Sequence, residues 1–147
     1  MIKPRIRFAT HADMKFISNL QRKWSNEVGF LPWSAHRRYI DAQCVLIATI
    51  NGQPAGFCNM IISLKGLLRL PQIAISHEVL RQGIGSRLMQ SLNKIAAEHG
   101  CAAIRLTTRE DLAANEFWPT TGFYVSLTTY PANARRQPLI EWTHQLR

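Results

Sequence analysis

No apolar run in this 147-residue chain approaches the roughly 20 residues a membrane-crossing helix needs, so no membrane span is expected. Acidic residues are scarce, nine against 18 Lys and Arg, for a formal net charge of +9. A field of that sign attracts nucleotides, nucleic acid and acidic surfaces without choosing among them. Cysteine is limited to Cys44, Cys58 and Cys101, odd in number, widely spaced and in or beside apolar runs. That excludes a disulfide framework and points to reduced, buried thiols in a cytoplasmic protein. None has a His at ligand spacing, so no metal site is expected. Met1-Ile2-Lys3-Pro4-Arg5 has no apolar stretch behind its charges and is not expected to be a secretory signal. Repeats, low-complexity tracts and breaks in composition are missing too, so residues 1–147 are expected to form one domain.

What the chain has is a core: 46% of its residues are hydrophobic. Ile6 and Phe8 alternate with Arg5 and Arg7, which predicts a first strand. Thr10 and Asp13 suggest a helix start, with Met14, Ile17, Leu20 and Trp24 at helical spacing. Residues 29–33 are irregular, and Ser34 is expected to cap a short helix through Ile40. Val45–Ile50 and Ala55–Ser63 read as strands joined by Asn51-Gly52, a pair that tolerates the positive φ of a hairpin turn. Leu67–Ser76 reads as a third strand. Ile84, Leu88, Leu92, Ile95 and Ala96 form one helical face, ended by Gly100. Ala102–Thr107 reads as a strand and Leu112–Trp118 as a helix that Pro119 should end or kink. Phe123–Tyr130 and Leu139–Leu146 complete the order β-α-α-β-β-β-α-β-α-β-β. The expected fold is α/β with a mixed, mostly antiparallel sheet and helices on both faces. One crossover, from Leu67–Ser76 to Ala102–Thr107, should be parallel and right-handed.

Between the third strand and the long helix lies Arg81-Gln82-Gly83-Ile84-Gly85-Ser86. Two glycines permit a tight turn, and the first helical turn leaves N–H groups unpaired at the positive end of the helix dipole. Such a turn can cradle a phosphate or pyrophosphate, with Arg81 and Arg87 adding charge. It is not a dinucleotide fingerprint, because Leu88 stands at the third glycine position, nor a Gly-Lys-Ser/Thr phosphate loop.

Residues Ile73 to Met89 match the (Gln/Arg)-x-x-Gly-x-(Gly/Ala) signature with its leading hydrophobic strand. Ala114-Asn115-Glu116-Phe117-Trp118-Pro119-Thr120-Thr121-Gly122-Phe123 matches a second signature, an aromatic pair followed by Gly-Phe. Together the segments resemble the GNAT superfamily of N-acetyltransferases, and the likeness spans essentially the whole chain. It implies acetyl-CoA as acyl donor and an amine as acceptor. Ile73, Ala74 and Ile75 would offer backbone groups to pantetheine, and Arg81, Gln82, Gly83, Ile84, Gly85 and Ser86 would hold the pyrophosphate. Asn115 and Trp118 would flank the thiol end, while Phe117 and Phe123 read as core. Many relatives are dimers, which leaves a homodimer open.

Three departures stand out. Leu80 occupies a position usually held by Gln or Arg. Asp111 stands where some relatives place an Asn that contacts the cofactor. Trp118 replaces the Tyr that often acts as general acid, and an indole N–H is no proton source at neutral pH. Glu27, Glu110, His36 and His77 are candidate bases, Arg69 standing where some relatives have a glutamate. Tyr124 and Tyr130 are reserve acids. Glu27 lies near Trp24, Phe30 and Trp33, in the stretch that shapes the acceptor pocket in this family. Two other readings remain: a non-catalytic acyl-CoA sensor, and a basic nucleic-acid-associated protein. The second has the charge but no helix-turn-helix, zinc or aromatic RNA-binding motif.

Overall fold

The computed structural model describes residues 3–132 and 136–146. Ala134 and Arg135 lie outside them; with Arg136 they form a charge-rich stretch of the sequence that could touch a cofactor's 3′-phosphate, an acidic acceptor or nothing. The chain divides into two compact units, Met1–Ile61 with Leu70–Leu92, and Ile62–Arg69 with Asn93–Arg147.

The first unit holds a four-stranded sheet in the order β1-β2-β3-β6. β1 (Arg5–Phe8) pairs antiparallel with β2 (Val45–Ile50), and β2 with β3 (Gln53–Asn59). Every residue of β2 is buried. The β2–β3 turn carries φ 51° at Asn51 and 79° at Gly52, as the hairpin signal predicts. After β1, Arg7 grips Asp13 with two hydrogen bonds of 2.7 and 2.8 Å, and Asp13 accepts the Thr10 N–H at 2.8 Å. That pins the start of α1 (Met14–Lys23), whose Met14, Ile17 and Leu20 join Ala9, Ile40, Val45, Ile47, Phe57 and Ala74 in one core cluster. A single turn, α2 (Ser25–Val28), follows. α3 (Trp33–Asp41) starts a residue before the expected cap. Pro32, not Ser34, flanks it, because the Pro32 carbonyl accepts the N–H groups of Ala35 and His36 at 2.9 and 3.2 Å.

The second sheet runs β4-β5-β7-β9-β8. Two strands expected to be continuous are each divided between the sheets. Ala55–Ser63 breaks at Met60 into β3 and β4 (Ile61–Ile62). Leu67–Ser76 breaks into β5 (Leu67–Arg69), parallel to β7 (Ala103–Arg109), and β6 (Ile73–Ile75), antiparallel to β3. The cause is local: Pro71 has no N–H for a ladder, and the Gln72 N–H turns to the Asn59 side chain at 2.7 Å. The parallel β5–β7 pairing is the expected crossover, made through α4 (Ile84–Glu98). β9 (Leu139–Gln145) pairs with β7 and with β8 (Tyr124–Thr129). The helix expected over Leu112–Trp118 is instead two 3-10 turns, Ala113–Glu116 and Trp118–Thr121. Pro119 sits at the start of the second turn, where a missing N–H costs nothing, and Gly122 ends it at φ 94°.

Candidate functional site

β6 is an edge strand, and its register decides which of its groups are free. The Ser76 N–H donates to the Ala55 carbonyl at 2.8 Å and the Asn59 N–H to the Gln72 carbonyl at 3.1 Å. With Phe57 opposite Ala74, antiparallel alternation commits the N–H and C=O of Ala74 to β3 and turns those of Ile73 and Ile75 to the open edge. The expected contribution of Ala74 to that edge is therefore withdrawn. Of what remains, the Ile75 carbonyl accepts the Trp24 indole N–H at 2.8 Å. Trp24 also stacks on His77, centroids 3.9 Å apart and planes 7° off parallel. The Ile75–Ser76 peptide is thus held at both ends, by Trp24 and by Ala55. The Ile73 N–H and C=O and the Ile75 N–H face the open edge without a partner among the described residues.

From β6 the chain passes through a 3-10 turn (His77–Val79) into the glycine loop and α4. Arg81 stands at φ 63° and Gly83 at φ 80°. Nothing lies within 4 Å of where a Cβ would stand at Gly83, so the loop surface is open there. Among the described residues, no backbone N–H from Arg81 to Ser86 donates to a protein carbonyl. Ile84 and Gly85 are buried, while Arg81, Gln82 and Ser86 are exposed. This arrangement of unpaired N–H groups at the head of a 15-residue helix suits a pyrophosphate. Arg87 does not join it: its Nε bonds the Pro4 carbonyl at 3.4 Å and its Nη1 the Gln90 side chain at 3.0 Å.

Behind the strand, a buried amide network fixes the segment after α1. Gln21 Oε1 accepts from the Leu31 N–H (2.8 Å) and from Gln72 Nε2 (3.0 Å), and meets His36 Nε2 at 3.1 Å. Gln72 Nε2 also reaches the Val28 carbonyl at 3.2 Å. His36 is 1% exposed, and burial holds its imidazole below the usual histidine range. It serves this network, and burial withdraws it as a candidate base. Glu27 is exposed on α2. The one buried carboxylate among the described residues, Asp13, is held below the usual range by its hydrogen bond with Arg7.

The remaining candidates belong to the second unit. Glu110 is exposed just after β7, and Tyr124 is exposed on β8, its hydroxyl 3.5 Å from the Gln145 side chain. Asn115 is fully committed. Its Oδ1 accepts from Thr108 Oγ1 (2.6 Å) and Trp142 Nε1 (3.3 Å), and its Nδ2 donates to the carbonyls of Arg109 (2.8 Å) and Glu110 (3.1 Å). That uses every donor and acceptor of the amide, so its side chain closes the 109–115 turn instead of flanking a ligand. Trp118 is the opposite case. It is 3% exposed, edge-on to Phe117 and Phe123, and its Nε1 has no partner among the described residues. A buried unpaired N–H costs about 1–3 kcal/mol, so this atom asks for an acceptor that the described residues do not provide. Trp24 and the Asn115 network were missed as structural devices because long-range hydrogen bonds leave no sequence period.

Among the described residues, no helix is long and apolar enough to cross a membrane, and no three His, Cys, Asp or Glu side chains gather to hold a metal. A family model described as acetyltransferase (GNAT) family matches residues 10–123. Ard1 from Thermoplasma volcanium shares the fold at TM-score 0.85 and 17% identity, over 97% of each chain. The ribosomal-protein-S18-alanine N-acetyltransferase from Escherichia coli gives 0.80 at 20% identity, over 98% of this chain and 94% of that one. The yncA protein from Salmonella typhimurium, solved with its cofactor acetyl-CoA, gives 0.80 at 17% identity, over 99% and 95%. No curated protein matches the chain by sequence.

Proposed function

The chain belongs to the GNAT acetyltransferase family, and from that premise we propose that it moves an acetyl group from acetyl-CoA to a primary amine by direct attack, as one domain spanning residues 1–147. The unpaired N–H groups of Arg81 to Ser86 carry this reading, together with the free edge of β6. The loop is proposed to hold the pyrophosphate. Ile73 would pair with the amide-bearing arm as one strand pairs with another. Acetyl-CoA supplies a thioester whose carbonyl oxygen gains charge as an amine attacks, and the Ile75 N–H is the donor free to stabilise it. Trp24 positions that donor by holding the far side of the same residue. The orphaned Trp118 N–H suits the sulfur end as a hydrogen-bond donor. A thiolate with pKa near ~8.5 tolerates a donor in place of an acid.

Among the described residues no free buried base is at hand to receive the proton of the incoming amine: Asp13 is paired, burial lowers the basicity of His36, and Glu27 and Glu110 face solvent. It is proposed to leave through water or an exposed carboxylate, with positioning supplying much of the rate. A cytoplasmic setting fits the reduced cysteines. A sensor that binds acyl-CoA without turnover is the second reading, favoured by Trp118 at the tyrosine position. Calorimetry with acetyl-CoA, beside CoA lacking its 3′-phosphate, tests both. Micromolar binding abolished by Gly83→Leu supports the loop assignment, and thiol release with a panel of amines then separates enzyme from sensor. No binding by the native protein would sink both.

A further inference from the structure

The four-stranded sheet has a second edge. β1 is the edge opposite β6, with two strands between them, and beside it opens a cavity of about 740 Å³ lined by Lys3, Arg5, Arg7, Thr49, Asn51 and Arg87 among others. We propose that this cleft binds the phosphodiester backbone of nucleic acid without regard to sequence. None of the residues from Arg81 to Ser86 lines this cleft, and the proposal does not rest on the acetyltransferase reading.

Charge accounting comes first. Arg7 is neutralised by Asp13 at 2.7 Å. Among the described residues, Lys3, Arg5 and Arg87 have no carboxylate within 4.0 Å. Three like charges therefore face one cavity without compensation, an arrangement that repels itself until an anion enters. Arg87 is already held in place by the Pro4 carbonyl and Gln90, and Arg7 by its two bonds to Asp13. Their guanidinium groups are ordered before a ligand arrives, which reduces the entropic cost of binding. Thr49 and Asn51 add neutral donors suited to phosphate oxygens.

The lining also says what is not read. It has no aromatic side chain on which a base can stack, so recognition falls on the backbone. Several uncompensated cations match a run of phosphates better than a lone carboxylate. A net charge of +9 adds long-range attraction to the same partner.

The test is fluorescence anisotropy with a short labelled DNA duplex of mixed sequence, titrated across salt with acetyl-CoA present. Each neutralised phosphate contributes a slope of about 0.9 in log K against log salt, so three contacts weaken binding roughly 40-fold between about 50 and 200 mM. Lys3→Ser with Arg5→Ser removes two of these cations, and the slope should fall by about 2. Both side chains are exposed and unpaired, so the fold should survive; if the pair misfolds, Arg5→Gln alone should lower the slope by about 1. Arg37→Ser with Arg38→Ser removes equal charge from α3 and should leave the slope in place. An equal fall in both pairs would assign binding to overall charge and overturn the cleft. So would displacement of the duplex by polyglutamate at matched charge, or no binding by the native protein.

Discussion

The indole of Trp24 donates to the Ile75 carbonyl at 2.8 Å, and that of Trp142 donates to Thr108 Oγ1 at 3.0 Å. The Trp118 indole, 3% exposed, donates to nothing among the described residues. The same chemical group is architecture in two places and an unfilled donor in the third. Asn115 and the glycine loop repeat the contrast in other groups. Asn115 spends its whole amide on its own turn and on Trp142, whereas the N–H groups of Arg81 to Ser86 donate to no carbonyl among the described residues. Unsatisfied polar groups therefore mark candidate binding positions here, because burying an unmet donor is costly, although the buried Nδ1 of His36 is left unpaired among the described residues inside a structural network.

Breaking the satisfied side should cost the most. Asn115→Ala removes four hydrogen bonds and takes away the acceptor of the Thr108 hydroxyl, while Trp142 Nε1 keeps Thr108 Oγ1, so unfolding free energy in urea should fall by about 2–4 kcal/mol. Were the amide a ligand contact instead, stability would hold and acetyl-CoA affinity would drop. Trp24→Phe keeps a ring against His77 but frees the Ile75 carbonyl, and about 1–3 kcal/mol should be lost. The loss should fall on kcat, by roughly tenfold or more, with acetyl-CoA affinity within a few-fold of native. An unchanged kcat would end the positioning role of Trp24.

Trp118→Phe sharpens the comparison from the other side. It deletes a donor that has no partner among the described residues, so stability should stay within about 0.5 kcal/mol of native or rise. The indole N–H resonance of Trp118, identified by its absence from this variant, should move downfield when acetyl-CoA is added, while those of Trp24 and Trp142 stay put. A stationary Trp118 signal with saturating acetyl-CoA would remove the atom from the donor site.

The repeat-free composition, the hairpin at Asn51-Gly52, the long helix and the glycine loop were all readable from local pattern, because each has a short-range cause. The division of two expected strands between sheets was not. Leu68, Leu70, Gln72 and Ala74 are all buried, so the alternation runs straight through the break and only Pro71 marks it. The short-range reading of Leu112–Trp118 as a helix failed because the Asn115 side chain takes the Arg109 and Glu110 carbonyls and holds a tighter turn. Cys58 and Cys101 are buried as expected, whereas Cys44, expected to be buried too, is only partly so; burial pushes the Cys58 thiol up to about 12. At the site, the phosphate loop was legible as a motif. The division of β6 into spent and free groups needed the register.

The smallest effect belongs to His36, whose Nδ1 is buried without a partner among the described residues while its Nε2 meets Gln21. Burial lowers its pKa in the folded protein, so the unfolded chain binds a proton first. Stability is then complete above the unfolded value of about 6.5 and declines as pH falls below it, with a slope of at most about 1.4 kcal/mol per pH unit. Asp13 acts in a different window. Arg7 depresses its pKa, so its contribution is complete above about 4 and is lost only as pH falls through the lower folded value. Urea melts at pH steps between these windows should therefore show a decline in the native protein that flattens in His36→Gln and persists in Asp13→Asn. A decline of equal steepness in all three would place the proton uptake elsewhere and leave the buried imidazole with a packing role alone.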